Sequence, residues 1–118
     1  MRYFNVYGPK QDYRRTIPPV FSAFIINLLK GKQPTIFGDG SKKRDFIYVD
    51  DVNDFHLMCI ENSDTNNEVF NIGSGKNYSI KCIYEEIKKI LQSDINPIFG
   101  KNLDFEAQEN LASIDKAN

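Results

Sequence analysis

Short strand-like runs alternating with amphipathic helical stretches predict an α/β fold with at least some parallel strand pairing. Three features carry that reading. β-branched and aromatic runs are closed by Gly or Asp. Apolar residues recur at helical spacing between those runs. The composition, 41% hydrophobic and 26% charged over 118 residues, suits one folded domain and not a disordered or fibrous chain. No repeat, low-complexity tract or linker divides the sequence, so residues 1–118 are read as a single domain.

Arg2-Tyr3-Phe4-Asn5-Val6-Tyr7 has the character of a strand, and Gly8-Pro9 turns the chain out of it. That strand follows Met1 directly and needs a neighbour to pair with, so the N-terminus reads as a cut through a larger protein. Pro18 and Pro19 suit the first turn of a helix in which Val20, Phe21, Phe24, Ile25, Leu28 and Leu29 form the apolar stripe, and Gly31 suits a left-handed cap. Thr35-Ile36-Phe37 is a short strand stopped by Gly38-Asp39-Gly40, and Asp45-Phe46-Ile47-Tyr48-Val49 is another. Asp50 or Asp51 can cap the next helix, which runs to about Glu61 with Val52, Phe55, Cys59 and Ile60 inward. Val69-Phe70-Asn71-Ile72 is a strand closed by Gly73-Ser74-Gly75. Ser79 then caps a helix whose stripe is Ile80, Ile83, Tyr84, Ile87 and Leu91. Pro97-Ile98-Phe99 reads as a last short strand, followed by a polar stretch ending in a helix fragment.

The formal net charge of -1 gives no broad basic face for a nucleic-acid backbone, so nucleic acid is not an expected partner. No apolar stretch is long enough to predict a membrane span, and the start lacks the pattern of a secretory signal; the expected location is the cytoplasm. Cys59 and Cys82 lack metal-ligand spacing and read as reduced, partly buried thiols. No metal site is expected.

Gly38-Asp39-Gly40 and Gly73-Ser74-Gly75 each hold the first two glycines of a dinucleotide loop, but neither has the third at the required offset. Tyr84 and Lys88 have the Tyr-x-x-x-Lys spacing used for proton transfer in some NAD enzymes. Here the tyrosine belongs to an apolar stripe and the lysine to a charged run, so packing explains them better. His56, the single histidine, has no acid or nucleophile placed beside it by the sequence and is expected to be structural.

Four stretches carry a family resemblance: residues 2–9, Pro34-Thr35-Ile36-Phe37-Gly38-Asp39-Gly40, Arg44-Asp45-Phe46-Ile47-Tyr48-Val49-Asp50-Asp51-Val52, and Phe70-Asn71-Ile72-Gly73-Ser74-Gly75. In this order and spacing they resemble the C-terminal half of the extended short-chain dehydrogenase/reductase family, in particular its NAD-dependent epimerase/dehydratase members of the UDP-glucose 4-epimerase type. The likeness runs from Arg2 to about Phe99 and continues more faintly through residues 111–117. It implies a Rossmann-type enzyme of which this chain is the substrate-binding portion, with strands that complete the sheet of an absent cofactor domain. The glycine loop, the Ser/Thr and the Tyr-x-x-x-Lys pair of such enzymes all precede Arg2. The chain by itself is therefore expected to carry no catalytic residue, to be inactive and to hold NAD only weakly.

The resemblance also implies site residues. A diphosphate calls for a guanidinium and neutral amide donors, which Arg44 and Asn5 supply at matching positions. A uracil base calls for a backbone edge and a flat wall, placed at Ile36 and Phe37, with the backbone favoured over the ring. Surface pairing of Arg44 with Asp39 or Asp45, and a purely structural Asn5, are the competing readings. Tyr3 and Phe4 match residues near nicotinamide and sugar, while Asp45, Asp50 and Asp51 are read as capping or loop residues. Where relatives carry an arginine followed two and three residues later by glycine and aspartate, this sequence has Leu103, Phe105 and Glu106, of which Glu106 keeps comparable chemistry.

The expected ligand is a nucleotide sugar, most simply a UDP-sugar, in the service of an NAD-dependent epimerase. A dehydratase, decarboxylase or reductase with the same grip is one alternative. A non-catalytic nucleotide-sugar-binding or assembly module is another. Cutting the sheet is expected to drive self-association, through strand pairing or through the Phe21/Phe24/Leu28 helix.

Overall fold

The computed structural model describes residues 1–117. Seven strands and three α-helices follow one another as β1 (Arg2–Tyr3), β2 (Asn5–Tyr7), α1 (Val20–Leu29), β3 (Thr35–Phe37), β4 (Lys43–Tyr48), α2 (Val49–Glu61), β5 (Asn71–Ile72), β6 (Asn77–Ser79), α3 (Ile80–Ile90) and β7 (Ile98–Gly100), with a 3-10 turn at Ser63–Thr65 after α2. Although the sequence offers no linker, the chain forms two compact units. One holds Met1–Pro9, Arg44–Asn77 and the stretch from Asn110; the other holds Lys10–Lys43 and Tyr78–Glu109. Two of the chain's passages between units fall inside β4 and β6, which is why no glycine-rich or polar hinge marks the division. No helix among the described residues is long and apolar enough to cross a membrane.

In the first unit the predicted opening strand divides at Phe4. β1 runs parallel to β5 (Arg2 opposite Asn71), and β2 runs parallel to β4 (Asn5 opposite Phe46). β4 is the middle strand of the order β2-β4-β6. Arg2 and Phe4 donate their N–H groups to Phe70 and Ile72 at 2.8 and 2.9 Å, so the strand that opens the chain has partners within it. Behind the strands Ile47, Val52 and Ile72 form an apolar cluster with Val6, Phe55 and Phe70. The Phe55 and Phe70 rings meet at 65° with centroids 5.5 Å apart.

A fully buried carboxylate ties this unit together. Asp45 on β4 is 0% exposed. Its Oδ1 accepts from the N–H and the hydroxyl of Ser74, both at 2.8 Å. Its Oδ2 accepts from the N–H groups of Gly75 and Ala112, both at 3.0 Å. One side chain thus joins β4, the Gly73-Ser74-Gly75 loop and the C-terminal stretch. Gly73 is needed for the close approach: a Cβ there would lie 2.5 Å from the Ala112 Cβ and 2.9 Å from Asp45 Oδ2. This network also explains why the predicted terminal helix does not form among the described residues. Ala112 gives its N–H to Asp45, Asn71 Nδ2 donates to the Ser113 carbonyl at 3.1 Å, and a single turn closes from Ala117 N–H to the Ile114 carbonyl.

The second unit is built on α1 packed against α3. Phe24, Leu28, Ile36, Tyr84 and Ile87 are its buried core, and the Phe24 and Tyr84 rings meet edge-on at 5.4 Å. Burying side chains of this size contributes roughly 1.5–3 kcal/mol each. Phe24 and Leu28 therefore face inward, with Phe21 partly buried beside them. Leu29, expected on the stripe, points outward. α1 begins after Pro19 and ends in a Schellman motif, with Lys32 N–H donating to the Asn27 carbonyl and Gly31 N–H to that of Leu28, Gly31 taking φ 66°. β3 runs parallel to β7.

The helix caps divide cleanly. Ser79 Oγ accepts from Cys82 N–H at 3.1 Å and caps α3 as expected. The N–H groups of Ile80 and Lys81 donate to the carbonyls of Lys42 and Gly40. α2, in contrast, starts at Val49 with Tyr48 as its N-cap and no side-chain cap. Asp50 and Asp51 lie one position inside, in the first turn, where their charge favours the positive end of the helix instead of capping it. Ile60, predicted inward, is exposed, and so is Cys82.

Asp45→Asn keeps the shape but removes the charge and turns an NH2 toward backbone N–H groups. It is expected to lower the unfolding free energy by about 3 kcal/mol or more, the loss of two charge-assisted hydrogen bonds. Urea unfolding followed by circular dichroism measures it, and a loss below about 1 kcal/mol would mean the carboxylate is not the tie described.

Candidate functional site

The residues singled out by sequence fall in both units. Arg44, Asn5, Tyr3 and Phe4 stand in the first; Ile36, Phe37 and Glu106 stand in the second.

Arg44 opens the first unit's part of β4 and is 8% exposed. Burial takes it out of the class of surface salt bridges. The acids proposed as its surface partners are both engaged elsewhere: Asp45 receives the four donors above, and Asp39 Oδ1 accepts from Ser41 N–H at 2.9 Å and Ser41 Oγ–H at 2.6 Å.

Asn5 is built into the frame around Asp45. Its Nδ2 donates to the Asp45 carbonyl at 2.7 Å and to Asn110 Oδ1 at 3.3 Å. Asn110 Oδ1 also accepts from Asp45 N–H at 2.9 Å. Both amide protons of Asn5 are thus engaged within the protein, and a phosphate oxygen would have to take over the longer of the two bonds. Asn110 itself was not legible in the sequence, because it lies 65 residues from Asp45 in a stretch without a motif.

Tyr3 is half exposed on β1, and its hydroxyl lies 2.8 Å from His56 Nε2. His56 Nδ1 is 2.7 Å from the Val52 carbonyl, which can only accept. Nδ1 therefore carries a proton and donates to that carbonyl. This agrees with a structural role for His56, holding Tyr3 to α2. Phe4 is half-buried and its N–H is bound to the Ile72 carbonyl.

In the second unit the alternation along β3 separates Ile36 from Phe37. The Pro34 carbonyl accepts from Ile98 N–H and Gly38 N–H donates to the Gly100 carbonyl, both at 3.0 Å. A parallel ladder uses the backbone groups of alternate residues, so Ile36, between them, turns its backbone to β7 and its side chain into the core. Phe37 turns its backbone to the opposite edge of β3, which carries no strand among the described residues. Its ring is 37% exposed. Of the two residues expected to meet a base, Phe37 has the geometry to do so through its backbone.

Glu106 is paired with Lys42, whose Nζ lies 2.6 Å from Glu106 Oε2. Lys42 was not anticipated as a site residue. Its only trace in the sequence is the alternation of Ser41-Lys42-Lys43-Arg44, in which the second and fourth residues are buried. Phe105 takes a left-handed φ of 61° and is fully exposed.

The Tyr84 hydroxyl donates to the Ile95 carbonyl, burial raises its pKa, and Lys88 Nζ donates to Asn96 Oδ1 at 2.9 Å. The Tyr-x-x-x-Lys spacing here is core and surface, as expected. The Gly73-Ser74-Gly75 loop does present backbone N–H groups to an anion, but that anion is the Asp45 carboxylate. The loop therefore does not fit the pyrophosphate of a dinucleotide.

The model of the NAD dependent epimerase/dehydratase family matches residues 1–73. A Methanocaldococcus jannaschii protein provisionally assigned as a UDP-glucose 4-epimerase is 38% identical over 117 residues, which is 99% of this chain and 37% of that protein. The structure of a UDP-N-acetylglucosamine 4-epimerase from Methanobrevibacter ruminantium, in complex with UDP-N-acetylmuramic acid, superposes with a TM-score of 0.94 at 35% identity, over 98% of this chain and 37% of the other. The UDP-glucose 4-epimerase of Thermotoga maritima with UDP-glucose gives 0.91 at 35% identity, again over 98% and 37%. The chain thus spans a little over a third of the length of these relatives and shares the extended short-chain dehydrogenase/reductase fold over that part.

The hydroxyl of Ser41, and then its N–H, hold the Asp39 carboxyl below the usual aspartate range. The order this bond gives the loop after β3 is present above the unfolded chain's pKa and is lost as pH falls through the depressed folded value. A carboxyl NMR titration is expected to place the Asp39 midpoint below the ordinary range and to move it part of the way back in Ser41→Ala, which removes the hydroxyl and keeps the N–H; an unchanged midpoint in that variant would assign the shift to another group.

Proposed function

Because the chain belongs to the NAD-dependent epimerase/dehydratase family, we propose that it is the nucleotide-sugar-binding portion of an NAD-dependent sugar-nucleotide epimerase, with UDP-sugars as its ligands. The observation that carries this reading is Arg44: a planar guanidinium 8% exposed, on the strand at the middle of the first unit's sheet. A permanently charged, planar fork held inside a folded unit suits phosphate oxygens better than solvent. The UDP-sugars bound to the related epimerases support the choice of nucleotide.

In this reading Arg44 is the first unit's contact to a diphosphate, and, taken by itself, the second unit offers the outward backbone of Phe37 to a base. Glu106 accepts from ligand hydroxyls. Asn5 contributes by holding the strand that carries Arg44, and Tyr3 and Phe4 stand toward the sugar. The chemical step belongs to the longer protein. The Gly73-Ser74-Gly75 loop holds the Asp45 carboxylate and Tyr84 and Lys88 are taken up in packing, so the contribution read for this chain is grip and specificity.

Arg44→Ala is expected to weaken UDP binding by roughly 1.5–3 kcal/mol, the usual worth of a hydrogen bond to a charged group. Because Arg44 is buried, a thermal melt must first show that the variant folds. Arg44→Lys keeps the charge but loses the fork, and should fall between the two. Equal UDP affinity in calorimetric titrations of all three proteins would sink the assignment. Incubation with NAD and UDP-glucose is expected to give no epimerisation and no micromolar NAD binding; observing either would return a catalytic or cofactor role to this chain.

A further inference from the structure

The Lys42–Glu106 pair lies in a part of the second unit with almost no regular structure. From residue 101 to 109 the backbone is held by an isolated bridge between Lys43 and Glu109 and by Lys43 N–H donating to the Gln108 carbonyl at 2.9 Å. Gln108 Nε2 also donates to Ser41 Oγ at 3.1 Å. These contacts fix residues 108 and 109. The turn at Asp104 and Phe105 lies before them, with Phe105 in the left-handed region and its ring in solvent. Lys42 reaches back toward that turn from the framework.

The two partners are unequal. The Lys42 side chain is 9% exposed and that of Glu106 is 30% exposed. The Lys42 backbone is rigid, because its carbonyl accepts the Ile80 N–H at 3.0 Å at the first turn of α3. A buried ammonium without a partner is costly, so Lys42 draws a carboxylate to itself strongly and to one place. The geometry is a fixed cation beneath an acid that still reaches the surface.

We infer that Lys42 is a positioning residue of the nucleotide-sugar site: through its ion pair it holds Glu106, and with it the turn at residues 103–106, where the carboxylate meets ligand hydroxyls. This rests on the reading of Glu106 as a ligand contact. Lys42 itself does not touch the ligand. Its role is to remove the freedom of a loop that would otherwise have to be ordered at the moment of binding.

The test pairs two readouts on the full chain. One is the rate of chymotryptic cleavage after Phe105; the other is calorimetric UDP affinity. Lys42→Met is expected to be cleaved several-fold faster and to bind UDP roughly tenfold more weakly, the scale of one charge-assisted contact. Lys42→Arg, which restores the cation, is expected to stay near wild type in both. If thermal melts show that Lys42→Met does not fold, Lys42→Gln, which keeps a donor without the charge, takes its place. Faster cleavage with unchanged UDP affinity would overturn the positioning role and leave a merely structural pair. Unchanged cleavage would overturn the hold on the turn. A wild-type chain that does not bind UDP overturns the proposed function along with this inference, and that result is seen before any variant is made.

Discussion

Everything in the first unit leans on the requirement that a buried carboxylate be fully hydrogen-bonded. An ionised Asp45 removed from water is tolerable only because four donors converge on it. Those donors come from a loop some thirty residues later and from a stretch 67 residues later. Local preference cannot bring such segments together; the charge does. Once it is satisfied, Gly73 must be small and Ala112 must stay extended, which stops the C-terminal stretch from coiling. The same requirement turns a glycine loop with the look of a phosphate cradle inward, onto the protein's own anion.

Arg44 follows from this arrangement. It is the residue before Asp45, on a strand paired with β2 on one side and β6 on the other, so its backbone cannot shift without disturbing the carboxylate's donors. Asn5 adds to the same rigidity, binding the Asp45 carbonyl while Asn110 takes the Asp45 N–H. In the proposed function, this fixed backbone is what lowers the entropy a ligand at Arg44 must overcome. Glu106 lies in a stretch with little regular structure and is paired with Lys42.

The parts of the fold legible in the sequence were those governed by local physics. The stripes of α1 and α3, the Ser79 cap, the Gly31 terminator and the parallel α/β character all follow from spacing and from single-residue preferences. What escaped was set at long range. The opening strand divides at Phe4 because two different strands, β5 and β4, pair with its halves. Leu29 and Ile60 look inward on a helical wheel but point outward, since a stripe's edges are settled by what packs against it. For the candidate site, Arg44 and Phe37 were singled out through motif resemblance. It could not tell the backbone of Ile36 from that of Phe37 without the β3 ladder, nor find Lys42 and Asn110, whose partners lie 64 and 65 residues away.

The span from Asp45 to Ala112 also has a meaning in time. A ribosome adding about 5–20 residues per second makes the strand with its carboxylate first. It supplies Ser74 and Gly75 next, and the last donor, Ala112, only 67 residues after Asp45. For several seconds the nascent chain holds an aspartate short of one partner, and the first unit cannot close around it. The stretch from Gly75 to Ala112, which includes α3, is made in that interval, so the second unit's chain is complete before the first unit's carboxylate receives its final donor.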